Sequence, residues 1–167
     1  MFRKIEDFTK AWEQESAATQ KLMNELTDTS LSQKVAEGHR TLGRIAWHVV
    51  TSIPEMMGRT GLQISSVSGE APLPRHAPEI QKGYAAVSKD VLEQVKASWT
   101  DQTLTILDDM YGEKWPRGLT LKILIDHQTH HRGQMTVLMR QAGLKVPGVY
   151  GPSKEEWGAY GGNPPEI

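Results

Sequence analysis

Apolar residues recur at intervals of three and four along four long stretches of the chain, a spacing typical of helices with one buried face. It predicts helices over about 4–26, 41–58, 78–99 and 120–142. The first three stripes consist of Phe8, Trp12, Thr19, Leu22, Met23 and Leu26; Leu42, Ile45, Val49, Ser52 and Met56; and Ile80, Tyr84, Val87, Val91, Val95 and Trp99. Four such helices predict an all-α fold, an antiparallel or crossover four-helix bundle.

Polar and helix-breaking residues mark the ends of these segments. Thr41 is placed to cap the second helix, Pro78 suits the first position of the third, and Gly143 suits the position just after the fourth. Residues 100–118 lack the helical pattern and are expected to form a long third connection, of the crossover type, with room for a short extended piece. The tail 144–167 is rich in glycine and proline, so we expect it to be irregular.

Composition and charge exclude several classes of protein. The 167 residues suit one domain, 1–167, with a substantial core. A formal net charge of −1 without a basic cluster argues against nucleic-acid binding. No stretch approaches the ~20 apolar residues that cross a bilayer, and the charged N-terminal segment lacks an apolar signal core. We therefore expect a soluble, cytoplasmic protein that binds neither membrane nor nucleic acid.

The chain has no cysteine, which excludes disulfides and thiolate ligands and leaves imidazole, carboxylate, carbonyl and water for any metal. It has six histidines: His39, His48, His76, His127, His130 and His131. His127 and His131 stand four apart and therefore share a helix face. His48 lies near the middle of the second helix, at a depth that permits it to meet them. Three converging imidazoles with open coordination positions are typical of a reactive metal site.

The other histidines have weaker claims. His130 is rotated by about 100° from His131 on the helix and is placed either at the edge of the site or among the residues that contact the ligands from outside. His39 and His76 lie in loop sequence. The ordinary alternative for every histidine, including His48, is a hydrogen-bonded ring without a metal. Inward carboxylates with a Glu-x-x-His motif are needed for ferritin-like di-iron chemistry, and none of the four segments carries that motif.

Three pieces of the sequence resemble the DinB-like family of metal-binding proteins. The segment LGRIAWHVV at 42–50 resembles the family's second helix, and DHQTHHRGQ at 126–134 resembles its fourth-helix motif. The ending VPGVYG at 146–151 is also similar. The order and separation of these pieces match, so the resemblance covers essentially the whole chain.

This resemblance implies a four-helix bundle, often a homodimer, that holds one divalent metal ion on His48, His127 and His131. Zinc and nickel are the favoured ions, and iron(II), cobalt or manganese also suit such a site. Family members include transferases of low-molecular-weight thiols such as bacillithiol, a related branch of mycothiol-dependent isomerases, and many proteins without an assigned reaction.

The leading hypothesis is therefore a metal-dependent enzyme that activates a thiol or water nucleophile towards a small-molecule substrate, with a bacillithiol-type S-transferase first among the reactions. The alternatives are a non-catalytic metal-binding or stress-response protein, and a metal-free interaction bundle. The sequence assigns no catalytic residue. Proximity alone suggests that Asp126, His130 and Gln134 orient ligands or move protons. Arg132 is expected to pair with a carboxylate or to cap a helix interaction, and Gly133 to allow close helix approach.

Overall fold

A computed structural model describes residues 1–166 and contains four α-helices in the predicted places. They are α1 (Ile5–Asn24), α2 (Leu42–Gly58), α3 (Ala77–Ser98) and α4 (Arg117–Gln141). The predicted boundaries are confirmed to within three residues, the largest difference being the earlier start of α4 at Arg117. Thr41 caps α2 as predicted, because its hydroxyl accepts a hydrogen bond from the Arg44 amide at 3.2 Å.

The four helices form a bundle in which chain neighbours are not always neighbours in space. Helices α1 and α2 each pack against both α3 and α4, so α1 and α2 lie on one diagonal of the bundle. The connections from α1 to α2 and from α3 to α4 therefore cross the bundle, which confirms the crossover expected for the third connection. This arrangement places α2 directly beside α4.

The third connection contains more regular structure than the sequence predicted. A 3-10 helix, Asp101–Thr105, is followed by an antiparallel hairpin of β1 (Leu107–Met110) and β2 (Glu113–Pro116). The two-residue turn places Tyr111 at φ 61° and Gly112 at φ 89°, as type I′ turns require. Tyrosine is an uncommon residue at positive φ. The expected extended piece is thus a complete hairpin. The sequence did not predict it, because Tyr-Gly is not a typical sequence for such a turn.

The predicted apolar stripes form the core, and every residue of the first three is buried. Helices α2 and α3 approach closely because α3 carries a glycine opposite an indole. A Cβ on Gly83 would lie 2.9 Å from the Trp47 ring, and Trp47 Nε1 donates to the Ala71 carbonyl at 2.8 Å. Both contacts fix the turn of α2 on which His48 lies.

Helix α4 ends as the sequence predicted. Gly143 adopts φ 74°, its amide donates to the Arg140 carbonyl at 3.0 Å, and the Leu144 amide donates to the Met139 carbonyl at 2.9 Å. This is the hydrogen-bond pattern of a Schellman motif. The tail that follows is irregular apart from a short 3-10 helix, Trp157–Tyr160. Among residues 1–166, no helix combines the length and apolar character needed to span a bilayer.

Candidate metal centre

The three histidines predicted to meet do so between α2 and α4. His127 Nε2 lies 3.1 Å from His48 Nε2 and 3.1 Å from His131 Nε2, and the three ligand nitrogens all lie within 4.8 Å of one another. Metal–nitrogen bonds of about 2.0–2.1 Å separate two ligands of one ion by roughly 3 Å at a right angle and roughly 3.4 Å in a tetrahedron. The spacing therefore fits one metal ion.

The antiparallel packing of α2 and α4 produces this convergence. His48 on α2 faces His131 on α4, and their ring centres are 4.7 Å apart. One turn later on α2, Ser52 faces His127, one turn earlier on α4, with Ser52 Oγ 3.5 Å from His127 Nδ1. One turn of each helix thus supplies the whole cluster.

The outer nitrogens of two rings are held by polar side chains. Gln134 Oε1 lies 2.8 Å from His131 Nδ1, and Ser52 Oγ faces His127 Nδ1 while donating its own proton to the Val49 carbonyl at 3.2 Å. Both acceptors favour a proton on Nδ1, which leaves the Nε2 lone pairs directed at the centre of the cluster. Such outer contacts commonly orient metal-binding histidines.

Burial disfavours the charged form of all three rings, as the direction of their pKa shifts shows. Burial lowers the pKa of His48 to about 4, with a further contribution from the neighbouring charges of His131, Arg40 and Arg44. Burial likewise lowers the pKa of His127 to about 4, and it lowers the pKa of His131. Neutral imidazole is the metal-binding form, so no proton has to be displaced near pH 7.

Of the three neighbours singled out by proximity, only Gln134 contacts a ring of the histidine cluster through a hydrogen bond. His130 is exposed and lies at the edge, as expected, with its Nε2 3.2 Å from Gln134 Nε2. Asp126 is also exposed and forms an ion pair with Lys122 on the outside of α4, so its suggested role at the ligands is wrong. The prediction that Gly133 allows close helix approach is also wrong, because a Cβ at this position would meet nothing within 4 Å.

Arg132 pairs with a carboxylate, as predicted, on a different side of α4. It is 3% exposed and forms an ion pair with Glu15 of α1. Its guanidinium also donates to the Glu15 carbonyl at 2.9 Å, to Thr19 Oγ1 at 3.2 Å and to Tyr150 Oη at 2.6 Å. Tyr150 in turn donates to Glu15 Oε2 at 2.7 Å, which ties the tail to the bundle.

Gln128 extends this group inward, and sequence reasoning missed it. The Tyr84 hydroxyl of α3 donates to Gln128 Oε1 at 2.6 Å, and the Thr19 hydroxyl lies 3.4 Å from the same oxygen. Gln128 Nε2 is buried without a partner among residues 1–166. The available signal was the spacing of Gln128 and Arg132, which are four apart and so share a face just as the histidine pair does.

A cavity of about 530 Å³ opens beside His131, between α4 and the segment that leads into α2. Volumes of roughly 300–1,000 Å³ are usual for small-molecule sites. Its lining consists of Val35, Gly38, His39, Arg40, Ile45, His131, Gln134, Val137 and Leu138. The cluster therefore has access to a space large enough for a small organic molecule.

Comparisons with known proteins identify the family. Residues 1–165 match the model of the DinB family. The uncharacterized protein YrdA of Bacillus subtilis (strain 168) is 47% identical over 167 residues, 100% of both chains. The crystal structure of a DinB-like protein from Bacillus cereus is 49% identical, with a TM-score of 0.86, covering 90% of this chain and 100% of that one.

A second DinB-like crystal structure, YjoA from Bacillus subtilis, is 17% identical with a TM-score of 0.68 over 86% of this chain and 97% of that one, and at this identity it shows the fold alone. Because the family model matches nearly the whole chain, the protein belongs to the DinB family.

Proposed function

We propose that this member of the DinB family binds one divalent metal ion on His48, His127 and His131 and uses it to activate a thiol or water nucleophile. The observation that carries the proposal is the convergence of three imidazoles, with His127 Nε2 at 3.1 Å from the Nε2 atoms of both His48 and His131. Their lone pairs repel one another unless a cation or a proton lies between them, and burial lowers the pKa of all three rings.

The donor set favours a reactive site over a structural one. Structural zinc sites have four protein ligands, whereas catalytic sites have three and keep a position for water or substrate. Among residues 1–166, no cluster of metal-binding side chains other than these three histidines is present. Zinc and nickel are the favoured ions for three imidazoles, with iron(II), cobalt and manganese as further candidates.

Such a metal, when bound, lowers the pKa of a coordinated thiol or water so that the deprotonated nucleophile exists near neutral pH. Among the reactions, transfer of a low-molecular-weight thiol such as bacillithiol is the leading candidate. There the S–H bond breaks, sulfur bonds to an electrophilic carbon, and a leaving group such as chloride departs with the bonding electron pair while the proton passes to solvent. A cysteine-free chain offers no thiol of its own to compete.

The protein residues around the centre have positioning roles in this proposal. Ser52 and Gln134 hold the rings of His127 and His131 so that Nε2 faces inward. The cavity beside His131 receives the electrophile. The homodimer and the cytoplasmic location expected from the sequence remain predictions, and size-exclusion chromatography with light scattering would test the first.

Elemental analysis of protein purified without a histidine tag tests metal binding, followed by titration of the metal-free protein with zinc and nickel. We expect about one equivalent per chain. The loaded protein is then assayed with bacillithiol and 1-chloro-2,4-dinitrobenzene, and the His131→Ala variant serves as the inactive control. Absence of any bound metal would overturn the whole proposal. Full metal binding without turnover above the His131→Ala variant, for thiol and water alike, would leave a non-catalytic metal-binding protein.

A further inference from the structure

The cavity beside His131 has a composition that selects its ligand. Four of its nine lining residues are apolar, namely Val35, Ile45, Val137 and Leu138, and none is acidic. Val35 is 59% exposed and Val137 is 53% exposed, so two valines from different segments present apolar surface to this space. Apolar walls with a few placed polar groups are typical of small-molecule sites.

The cavity carries one fixed positive charge. Arg40 lines it, in the segment just before α2. Among residues 1–166, Arg40 takes part in none of the ion pairs, which use Arg59, Arg117, Arg132 and Arg140. A guanidinium offers a planar fork of donors that matches a carboxylate in two parallel hydrogen bonds. Arg40 thus lines this space as a cation without an ion-pair partner among residues 1–166, and His131 lines the same space.

We infer that this cavity binds a small organic carboxylate, with its apolar body against Val35, Ile45 and Val137 and its carboxylate paired with Arg40. The inference rests on the proposed function, since it names the substrate class of the same site. An uncharged apolar molecule would leave Arg40 without a counter-charge, and a polar anion such as phosphate would leave the valines in contact with water. A molecule with both properties matches the whole lining.

The probe is 3-phenylpropionate, and its uncharged analogue 3-phenylpropionamide is the chemical control. Both are titrated into metal-free protein, and binding is followed by NMR through the methyl signals of Val35, Ile45 and Val137. We expect the carboxylate to shift these signals and the Arg40→Gln variant to weaken its affinity about five-fold, the scale of a partly exposed charge-assisted pair. The amide should bind the unaltered protein about as weakly as the carboxylate binds the variant.

Arg75→Gln is the matched variant, because Arg75 is also exposed and also precedes a helix by two residues, and it removes the same charge outside the cavity. It should leave the affinity unchanged. Equal binding of carboxylate and amide, an unchanged affinity in Arg40→Gln, or shifts that require added zinc and ignore Arg40 would each overturn the inference. Since the titration uses metal-free protein, failure of the proposed metal chemistry would leave the Arg40-dependent shifts intact, and the two failures are distinguishable.

Discussion

Helix α4 carries two pairs of polar residues four apart, His127 with His131 and Gln128 with Arg132, and the two pairs face different partners. The second pair faces α1 and α3, where Arg132 donates to Glu15 and Gln128 accepts a hydrogen bond from Tyr84. The first pair faces α2, where its Nε2 atoms meet a third nitrogen of the same kind, His48 Nε2. The two faces are one residue apart in sequence, about 100° around the helix.

We interpret this difference as that between a structural polar group and the proposed metal site. A buried charge costs stability unless it is paired, and the pairing of Arg132 with Glu15 meets that need within the protein. Three imidazole lone pairs that converge gain nothing from one another. Their arrangement becomes favourable when a proton or a metal cation lies between them. Five predictions test this contrast, beginning with the largest effect.

Removal of one proposed ligand should abolish stable metal binding. His131→Ala leaves two imidazoles, so we expect the affinity for zinc to fall by more than about 100-fold, beyond the 10–100-fold typical of losing an outer partner. Competition with a chelating dye measures it. His130→Ala is the control, since that ring is exposed at the edge, and it should retain one equivalent. Full retention by His131→Ala would contradict the assigned ligand set.

Removal of Glu15 should instead affect stability. Glu15→Ala leaves the guanidinium of Arg132 buried without its counter-charge, and we expect the free energy of unfolding to fall by about 3 kcal/mol, measured by urea denaturation. Glu13→Ala is the matched control on the same helix, because its ion pair with Lys96 is exposed and should contribute less than about 1 kcal/mol. Similar losses in both variants would show that the buried pair has no special role.

Removal of a residue that only orients a histidine ring should weaken metal affinity without changing the number of metal ions bound. Gln134→Leu removes the oxygen that faces His131 Nδ1, so we expect zinc affinity to fall about 10–100-fold while one equivalent still binds at saturation. Gln141→Leu, an exposed glutamine two turns further along α4, should leave the affinity unchanged. An unaffected affinity in Gln134→Leu would mean that the ring of His131 is oriented by packing alone.

Acid should destabilise the metal-free protein by protonating the histidine cluster. The pKa values of His48 and His127 fall from the ordinary 6.5 to about 4 in the folded state. Between about pH 4 and pH 6.5 the unfolded chain binds more protons than the folded protein. The contribution of these two histidines to the free energy of unfolding is therefore fully present above about pH 6.5 and is lost as the pH falls towards 4. Thermal unfolding in the presence of a chelator should show a decline of a few degrees, and His127→Asn should flatten it. A constant melting temperature from pH 7 to 5 would contradict this.

The smallest effect should come from Tyr150, which lies at the exposed edge of the ion pair between Arg132 and Glu15. Tyr150→Phe removes a hydroxyl that contacts Arg132 and Glu15, but the residue is 72% exposed, so water can replace the contacts of that hydroxyl. We expect a loss of about 0.5–1 kcal/mol in unfolding free energy. Tyr160→Phe, which is 73% exposed, is the matched control and should be neutral. A loss above about 2 kcal/mol would mean that the tail is essential to the pair.

Much of the fold could be predicted from the sequence, because an amphipathic helix produces a periodic pattern of apolar residues within its own segment. The stripes ending at Leu26, Met56 and Trp99 are all buried, and Gly143 ended α4 through its positive φ. The hairpin at 107–116 was less accessible, because strands of four residues carry little periodicity and its turn places a tyrosine where asparagine or glycine is usual. Short elements depend on neighbours that a local pattern does not contain.

The sequence by itself determined the four helices, the shared face of His127 and His131, and the absence of any thiolate ligand. These are consequences of helical geometry and of composition, and they hold for any packing. Only the tertiary structure decided that α2 lies beside α4 and runs antiparallel to it, which brings His48 to the pair. It also decided that Arg132 faces Glu15 and that Asp126 turns outward. Such contacts join residues far apart in the chain, and their energies depend on burial and on partners that no local spacing specifies.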